Sequence, residues 1–150
     1  MKKAILIILI ILTLAFIWGN SLAGRETSTA QSTRLLDILS PILNFFGFDT
    51  SSDLPLRKAA HFVEFSILGL ELAFLFGLQC PSFGKKSLVF LSVSHGVFAG
   101  LIDETIQIFS GRNSSVSDIW LDSFGALCGA AVAVVFLHLR NSKKAGKERR

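Results

Sequence analysis

Four long apolar stretches alternate with shorter polar connections along this chain. Each approaches or exceeds the ~20 residues that a helix needs to cross a bilayer, and they run over residues 4–24, 59–80, 88–110 and 119–139. The first contains no charged residue, and the other three are apolar apart from a few polar positions. The pattern predicts an all-α integral membrane bundle of four transmembrane helices, in a single domain over residues 1–150.

The polar residues within and just before the last three stretches follow the helical repeat. Positions at offsets of 0, 4, 7 and 11 recur in each stretch, and at 3.6 residues per turn such positions stay within about a sixth of the helix circumference. The three sets are Arg57/His61/Glu64/Leu68, Gly96/Gly100/Asp103/Gln107 and Asp118/Asp122/Gly125/Gly129. Short connections make these helices antiparallel neighbours, so the polar clusters are predicted to meet at one end of the bundle.

Two small-xxx-small motifs, Gly96/Gly100 and Gly125/Gly129, lie on the same faces as the carboxylates. Such motifs allow membrane helices to approach closely. The glycines precede the acids in the third helix and follow them in the fourth. Antiparallel packing is therefore expected to align glycine with glycine and acid with acid.

The connection between the first two spans contains a second kind of segment. Residues 25–32 are polar, whereas residues 34–48 are rich in Leu, Ile and Phe, with Pro41 in the middle. The apolar part is too short and too interrupted by proline to cross a membrane. We expect an interfacial amphipathic segment, which either packs peripherally on the bundle or acts as a lid over a substrate site.

The distribution of positive charge predicts the orientation of the chain in the membrane. The chain is 51% hydrophobic with a net charge of +4 and a mean hydropathy of +0.56. Of its 15 Lys and Arg residues, ten lie on the side of the two termini and the 81–87 turn, and five on the other side. Positive charge is retained in the cytoplasm, so both termini, including the basic tail 140–150, are predicted to be cytoplasmic. The charge then reflects topology and contact with anionic lipid rather than nucleic-acid binding.

The first stretch has an alternative interpretation as a signal peptide, because Lys2 and Lys3 precede it and Ser21-Leu22-Ala23 resembles a cleavage site. Its apolar region is at the long limit for such a signal. Its removal would also leave the termini on opposite sides of the membrane. A retained membrane anchor is therefore the favoured interpretation.

The end of the bundle where the polar clusters meet is called here the polar end. Its residues are compatible with several kinds of chemistry. Its carboxylates outnumber its cations, and they cannot all stay ionised in a partly dehydrated site without cations or shared protons. Candidates for catalysis or metal binding are His61, Glu64, Asp103, Glu104, Gln107, Asp118 and Asp122; candidates for binding an anionic ligand are Arg57, Lys58 and Arg112. Three interpretations stay open: helix adhesive, a site for an anionic headgroup, and a general acid/base or divalent-metal site with His61.

Three linked motifs resemble the VanZ-like family of bacterial membrane proteins. The matching positions are Lys58, His61, Phe62, Glu64, Phe65, Leu68, Gly69, Asp103, Glu104, Gln107, Phe109, Gly111, Arg112, Asp118 and Gly125. Two positions depart from the family pattern: Arg57 stands where an acidic residue often occurs, and Asp122 where asparagine is usual.

This resemblance implies a plasma-membrane protein of the bacterial cell envelope, associated with teicoplanin resistance. The leading interpretation is an outer-leaflet site that engages an anionic lipid or a lipid-linked wall component. The alternatives are a small intramembrane enzyme acting on a lipid headgroup, with His61 as base and Asp103 and Glu104 as metal or proton partners, and a bundle that only binds another envelope protein.

Reporter fusions test the topology. Fusions after Lys86 and after Arg150 should report the cytoplasm and a fusion near Thr50 the outside, because the positive charges are divided ten to five and retained inside. A cytoplasmic Thr50 would contradict the predicted orientation.

Overall fold

The computed structural model describes residues 2–23, 25–45, 54–112 and 114–148, and the regular structure of these residues is helical throughout. The helices are α1 (Lys2–Leu22), α2 (Arg25–Phe45), α3 (Leu54–Gln79), α4 (Lys85–Phe109) and α5 (Val116–Glu148). All except α2 are long and apolar enough to cross a membrane. The predicted all-α architecture with four membrane-spanning helices is confirmed, although α3, α4 and α5 begin before their apolar stretches and α5 continues into the basic tail.

The α2 helix differs from the sequence prediction. It is continuous through Pro41 and reaches back over the polar residues from Arg25, so the expected interruption at Pro41 is wrong. Proline removes the hydrogen bond to the carbonyl four residues earlier, which here belongs to Asp37. The Ser40 hydroxyl donates to that carbonyl at 3.0 Å, and this local bond compensates for the missing one. The end of the predicted segment, Phe48, lies outside the described residues.

Both ends of the bundle can be recognised by their residues. At one end, Lys2 of α1 and Arg140 of α5 line a shared depression with Leu78 of α3, and Arg140 also lines a pocket with Lys85. The beginning of α1, the α3–α4 connection and the basic end of α5 therefore lie together. The polar clusters of α3, α4 and α5 lie at the opposite end.

The tightest helix contact joins α3 to α5. A Cβ atom on Gly69 of α3 would collide with the backbone of Ala126, and one on Gly129 of α5 would collide with the carbonyl of Ser66. A Cβ atom on Gly125 would lie 2.6 Å from the carbonyl oxygen of Phe62. The two backbones are in direct contact, as small residues allow in membrane bundles.

The predicted alignment of glycine with glycine between α4 and α5 is wrong. Gly96 of α4 faces the side chain of Ala126, and Gly100 faces Asp122. The glycines of α5 face α3 instead. The reason is that α5 divides its small-residue stripe between two helices. Gly125 and Gly129 face α3, whereas the side chains of Asp122 and Ala126 face α4, although the backbone of Ala126 also contacts α3.

Alanine substitution tests the α3–α5 contact. Gly129→Ala should lower the unfolding temperature in detergent, because overpacking against a backbone carbonyl typically costs ~1–3 kcal/mol. Gly19→Ala is the matched control, since nothing lies within 4 Å of its Cβ position and alanine favours a helix by ~1 kcal/mol over glycine. Equal unfolding temperatures for the two variants would contradict the close contact.

Candidate functional site

The polar end is held together by hydrogen bonds between α1 and the connection from α4 to α5. The Ser110 hydroxyl donates to the carbonyl of Ser21 at 2.8 Å, and Nη1 of Arg112 donates to the carbonyl of Asn20 at 3.0 Å. The chain turns at Gly111, whose φ of 71° lies in the region that glycine adopts without strain. Arg112 lies at this junction and is only 8% exposed.

An open pocket of about 390 Å³ lies beside Arg112. Its walls come from α1, α2, α3 and the α4–α5 connection. The polar residues that line it are Asn20, Ser32, Arg57, His61, Glu64 and Arg112, and the apolar ones are Phe16, Leu35, Leu56 and Ala60. The pocket, called here the arginine pocket, thus combines two guanidinium groups with an apolar wall.

The two arginines of the pocket have no carboxylate ion pair among the residues that the structure describes. Burial, followed by repulsion from Arg57, lowers the pKa of Arg112 from its ordinary value, and the carboxylates of Asp103 and Glu104 partly oppose this. A guanidinium nevertheless stays protonated. An anion entering the pocket would relieve the repulsion between the two arginines.

Lys58 lies elsewhere. Its Nζ is 3.7 Å from Oδ1 of Asp118, in the first turn of α5, where a negative charge is favoured by the helix dipole. It does not line the arginine pocket. Of the three cations that the sequence suggests for anion binding, the structure brings Arg57 and Arg112 together and pairs Lys58 with an acid.

A second cluster lies deeper, where α3, α4 and α5 meet. Nδ1 of His61 is 3.8 Å from Oδ1 of Asp122 and 3.9 Å from Oδ2 of Asp103. Both aspartates are completely buried. Gln107 donates from Nε2 to Oδ2 of Asp103 at 2.7 Å. The structure thus brings the acids of α4 and α5 to the same level, as the stripe pattern predicts.

The glutamates have separate contacts. Oε2 of Glu104 accepts a hydrogen bond from the backbone N–H of Ser115 at 2.8 Å, so this acid holds the α4–α5 connection. Glu64 lines the arginine pocket. Its Oε1 accepts a long hydrogen bond of 3.4 Å from Asn20.

The first helix contributes residues that the sequence reasoning did not assign to the site. Asn20 contacts both Glu64 and Arg112, and Thr13 donates to Glu71 of α3 at 3.2 Å. Glu71 is therefore bonded to a neighbouring helix rather than to the polar site. The available signal was the presence of Thr13 and Asn20 in an otherwise apolar span, because intramembrane polar groups require partners.

In a comparison with protein families, the family described as VanZ/LLP1 matches residues 5–137. The matched range begins in α1 and ends within α5, so it includes the arginine pocket and the His61 cluster. Comparison with characterised proteins and with solved structures finds no match.

Proposed function

The chain belongs to the VanZ/LLP1 family, and on that premise we propose that it is a membrane protein of the bacterial cell envelope that binds an anionic lipid headgroup. The ligand is a membrane lipid or a lipid-linked wall component. The observation that carries this proposal is the arginine pocket, in which Arg57 and Arg112 share a cavity and have no ion pair to a described carboxylate.

The arrangement of Arg112 suits a phosphate or carboxylate group. Its Nη1 is fixed by the carbonyl of Asn20, and its buried Nε has no hydrogen-bond partner among the described residues. A guanidinium can donate two parallel hydrogen bonds to an oxyanion, which an ammonium group cannot reproduce. Holding Nη1 orients the group before the ligand arrives and so reduces the entropy lost on binding.

The apolar wall favours a lipid over a free anion. Phe16 of α1, Leu35 of α2 and Leu56 of α3 line the same pocket as the arginines. A ligand with a charged headgroup and an attached apolar chain would bury surface against these side chains, at about 25 cal/mol per Å² of apolar surface. Free phosphate would gain nothing from them.

The distribution of Lys and Arg supports an outer-leaflet position for this pocket. The basic clusters that are typical of the cytoplasmic side lie at the other end of the bundle. Bound there, a lipid-linked wall component would be withdrawn from glycopeptides that act outside the cell. We propose that the protein influences teicoplanin susceptibility in this way.

Substitution of Arg112 tests headgroup binding. In native mass spectrometry, the wild-type protein should retain phosphatidylglycerol in preference to phosphatidylcholine, and Arg112→Lys should weaken that retention about tenfold, equivalent to ~1.4 kcal/mol, because the paired hydrogen bonds are lost. Lys58→Gln removes a charge outside the pocket and should retain phosphatidylglycerol normally. Equal retention of both lipids by all three proteins would exclude headgroup binding.

Growth assays test the cellular role. Expression of the wild-type protein in a teicoplanin-sensitive bacterium should raise the inhibitory concentration, and Arg112→Lys should abolish this increase at equal protein level in the membrane. Lys58→Gln should preserve it. If the polar residues serve only as helix adhesive, resistance will follow the amount of folded protein in every variant.

A further inference from the structure

The cluster of His61, Asp103 and Asp122 joins three helices at one point. One donor atom from each residue, a ring nitrogen and two carboxylate oxygens, lies within 4.8 Å of the other two. We propose that these three side chains bind a divalent cation, of the Zn²⁺ or Mn²⁺ class, behind the arginine pocket. The sequence offered a metal only as one of several open interpretations, and it paired Asp103 with Glu104 rather than with Asp122.

Buried polar atoms without a hydrogen-bond partner are the strongest indication that this cluster binds a cation. Asp103 and Asp122 are 0% exposed. Neither oxygen of Asp122, nor Oδ1 of Asp103, nor Nδ1 of His61 has a hydrogen-bond partner among the described residues. An unpaired charged carboxylate in the protein interior is strongly unfavourable, so buried charges are normally paired or coordinate a metal. A cation between these atoms would satisfy all three side chains at once.

The distances fit such an ion after a small movement. Two ligands that bind Zn²⁺ at ~2.1 Å in a tetrahedral arrangement lie ~3.4 Å apart. Nδ1 of His61 is 3.8 Å from Asp122 and 3.9 Å from Asp103, and all three donor atoms lie within 4.8 Å of one another. Closing the site would shorten the two histidine distances by about 0.5 Å and the distance between the two carboxylates by at most about 1.4 Å. The hydrogen bond from Gln107 to Asp103 is the kind of outer contact that orients a metal-binding carboxylate.

The types of donor atom indicate which class of cation the three side chains would bind. Mg²⁺ and Ca²⁺ prefer ligand sets made of oxygen, whereas imidazole favours Zn²⁺ and other transition metals, and Mn²⁺ accepts carboxylates readily. One imidazole with two carboxylates therefore favours Zn²⁺ or Mn²⁺. Three protein ligands would leave at least one coordination position for water or another ligand.

The charge of the buried cluster agrees with a divalent ion. Among the described residues, neither Asp103 nor Asp122 forms an ion pair with a lysine or an arginine. When both are ionised they carry two negative charges. One divalent cation would neutralise them where burial makes isolated charge most costly.

His61 connects this site to the arginine pocket, because it also lines that pocket. An ion held by His61 would therefore lie beside the position proposed for the headgroup, and a headgroup oxygen could take its open coordination position. This step alone rests on the proposed function; the cation site itself does not require a lipid.

Metal analysis of the full chain tests the site. The protein, purified in detergent without a histidine tag, is stripped with EDTA, incubated with Zn²⁺ or with Mn²⁺ and freed of unbound metal. The wild type should retain one ion per chain and unfold at a higher temperature than the stripped protein. His61→Gln and Asp122→Asn should each reduce the affinity at least tenfold.

His95→Ala is the matched control, because His95 is an exposed histidine of α4 whose Nδ1 contacts the carbonyl of Leu91 in its own helix, at 2.8 Å. This variant should bind metal as the wild type does. In pulsed electron paramagnetic resonance, Mn²⁺ bound to the wild type should show coupling to an imidazole nitrogen. The measurement on the wild type does not depend on the folding of any variant. As a control, the same coupling should persist in His95→Ala.

Failure of the wild type to bind either ion, absence of nitrogen coupling, or unchanged binding in both His61→Gln and Asp122→Asn would overturn the site. His61 would then contact the two aspartates directly, with no ion between them. Because these measurements contain no lipid, and lipid retention can be measured in EDTA, failure of the cation site and failure of headgroup binding give different results.

Discussion

Direct contact between the backbones of α3 and α5 determines where the other polar groups of this bundle can lie. Gly69 against Ala126 and Gly129 against Ser66 leave no room for a side chain, so the two helices are fixed in both rotation and register. This register places His61 of α3 at the level of Asp122 of α5. The α4 helix then packs on the remaining edge of α5 and brings Asp103 to the same point.

The hydrogen bonds of α1 complete the polar end. In a membrane interior a polar group must find its partner within the protein, and Thr13 and Asn20 supply partners to the acids of α3. The carbonyl of Asn20 also fixes Arg112. The α1 helix, which the sequence predicts to be a membrane anchor, therefore forms one wall of the arginine pocket and orients the buried guanidinium of Arg112.

The two buried aspartates and the two arginines of the pocket occupy different layers of the polar end. Arg57 and Arg112 lie around an open cavity, whereas Asp103 and Asp122 are buried behind His61. If all of these groups were meant only to neutralise one another, the arginines would be expected to pair with the aspartates. Their separation is the physical basis for both proposals, an anion in the pocket and a cation behind it.

The sequence by itself determined the four spans, the common end of the polar clusters and the alignment of the acids of α4 with those of α5, because hydrophobic length and helical period are local properties of the chain. It also carried the motifs of the family. Only the tertiary structure decided that Lys58 pairs with Asp118, that Arg112 bonds to α1 and that Glu104 holds the α4–α5 connection. A stripe about a sixth of a helix wide is compatible with more than one rotation, and side-chain partners depend on which rotation the backbone contacts impose. The glycine-to-glycine alignment failed for that reason, since α5 divides its stripe between two neighbours.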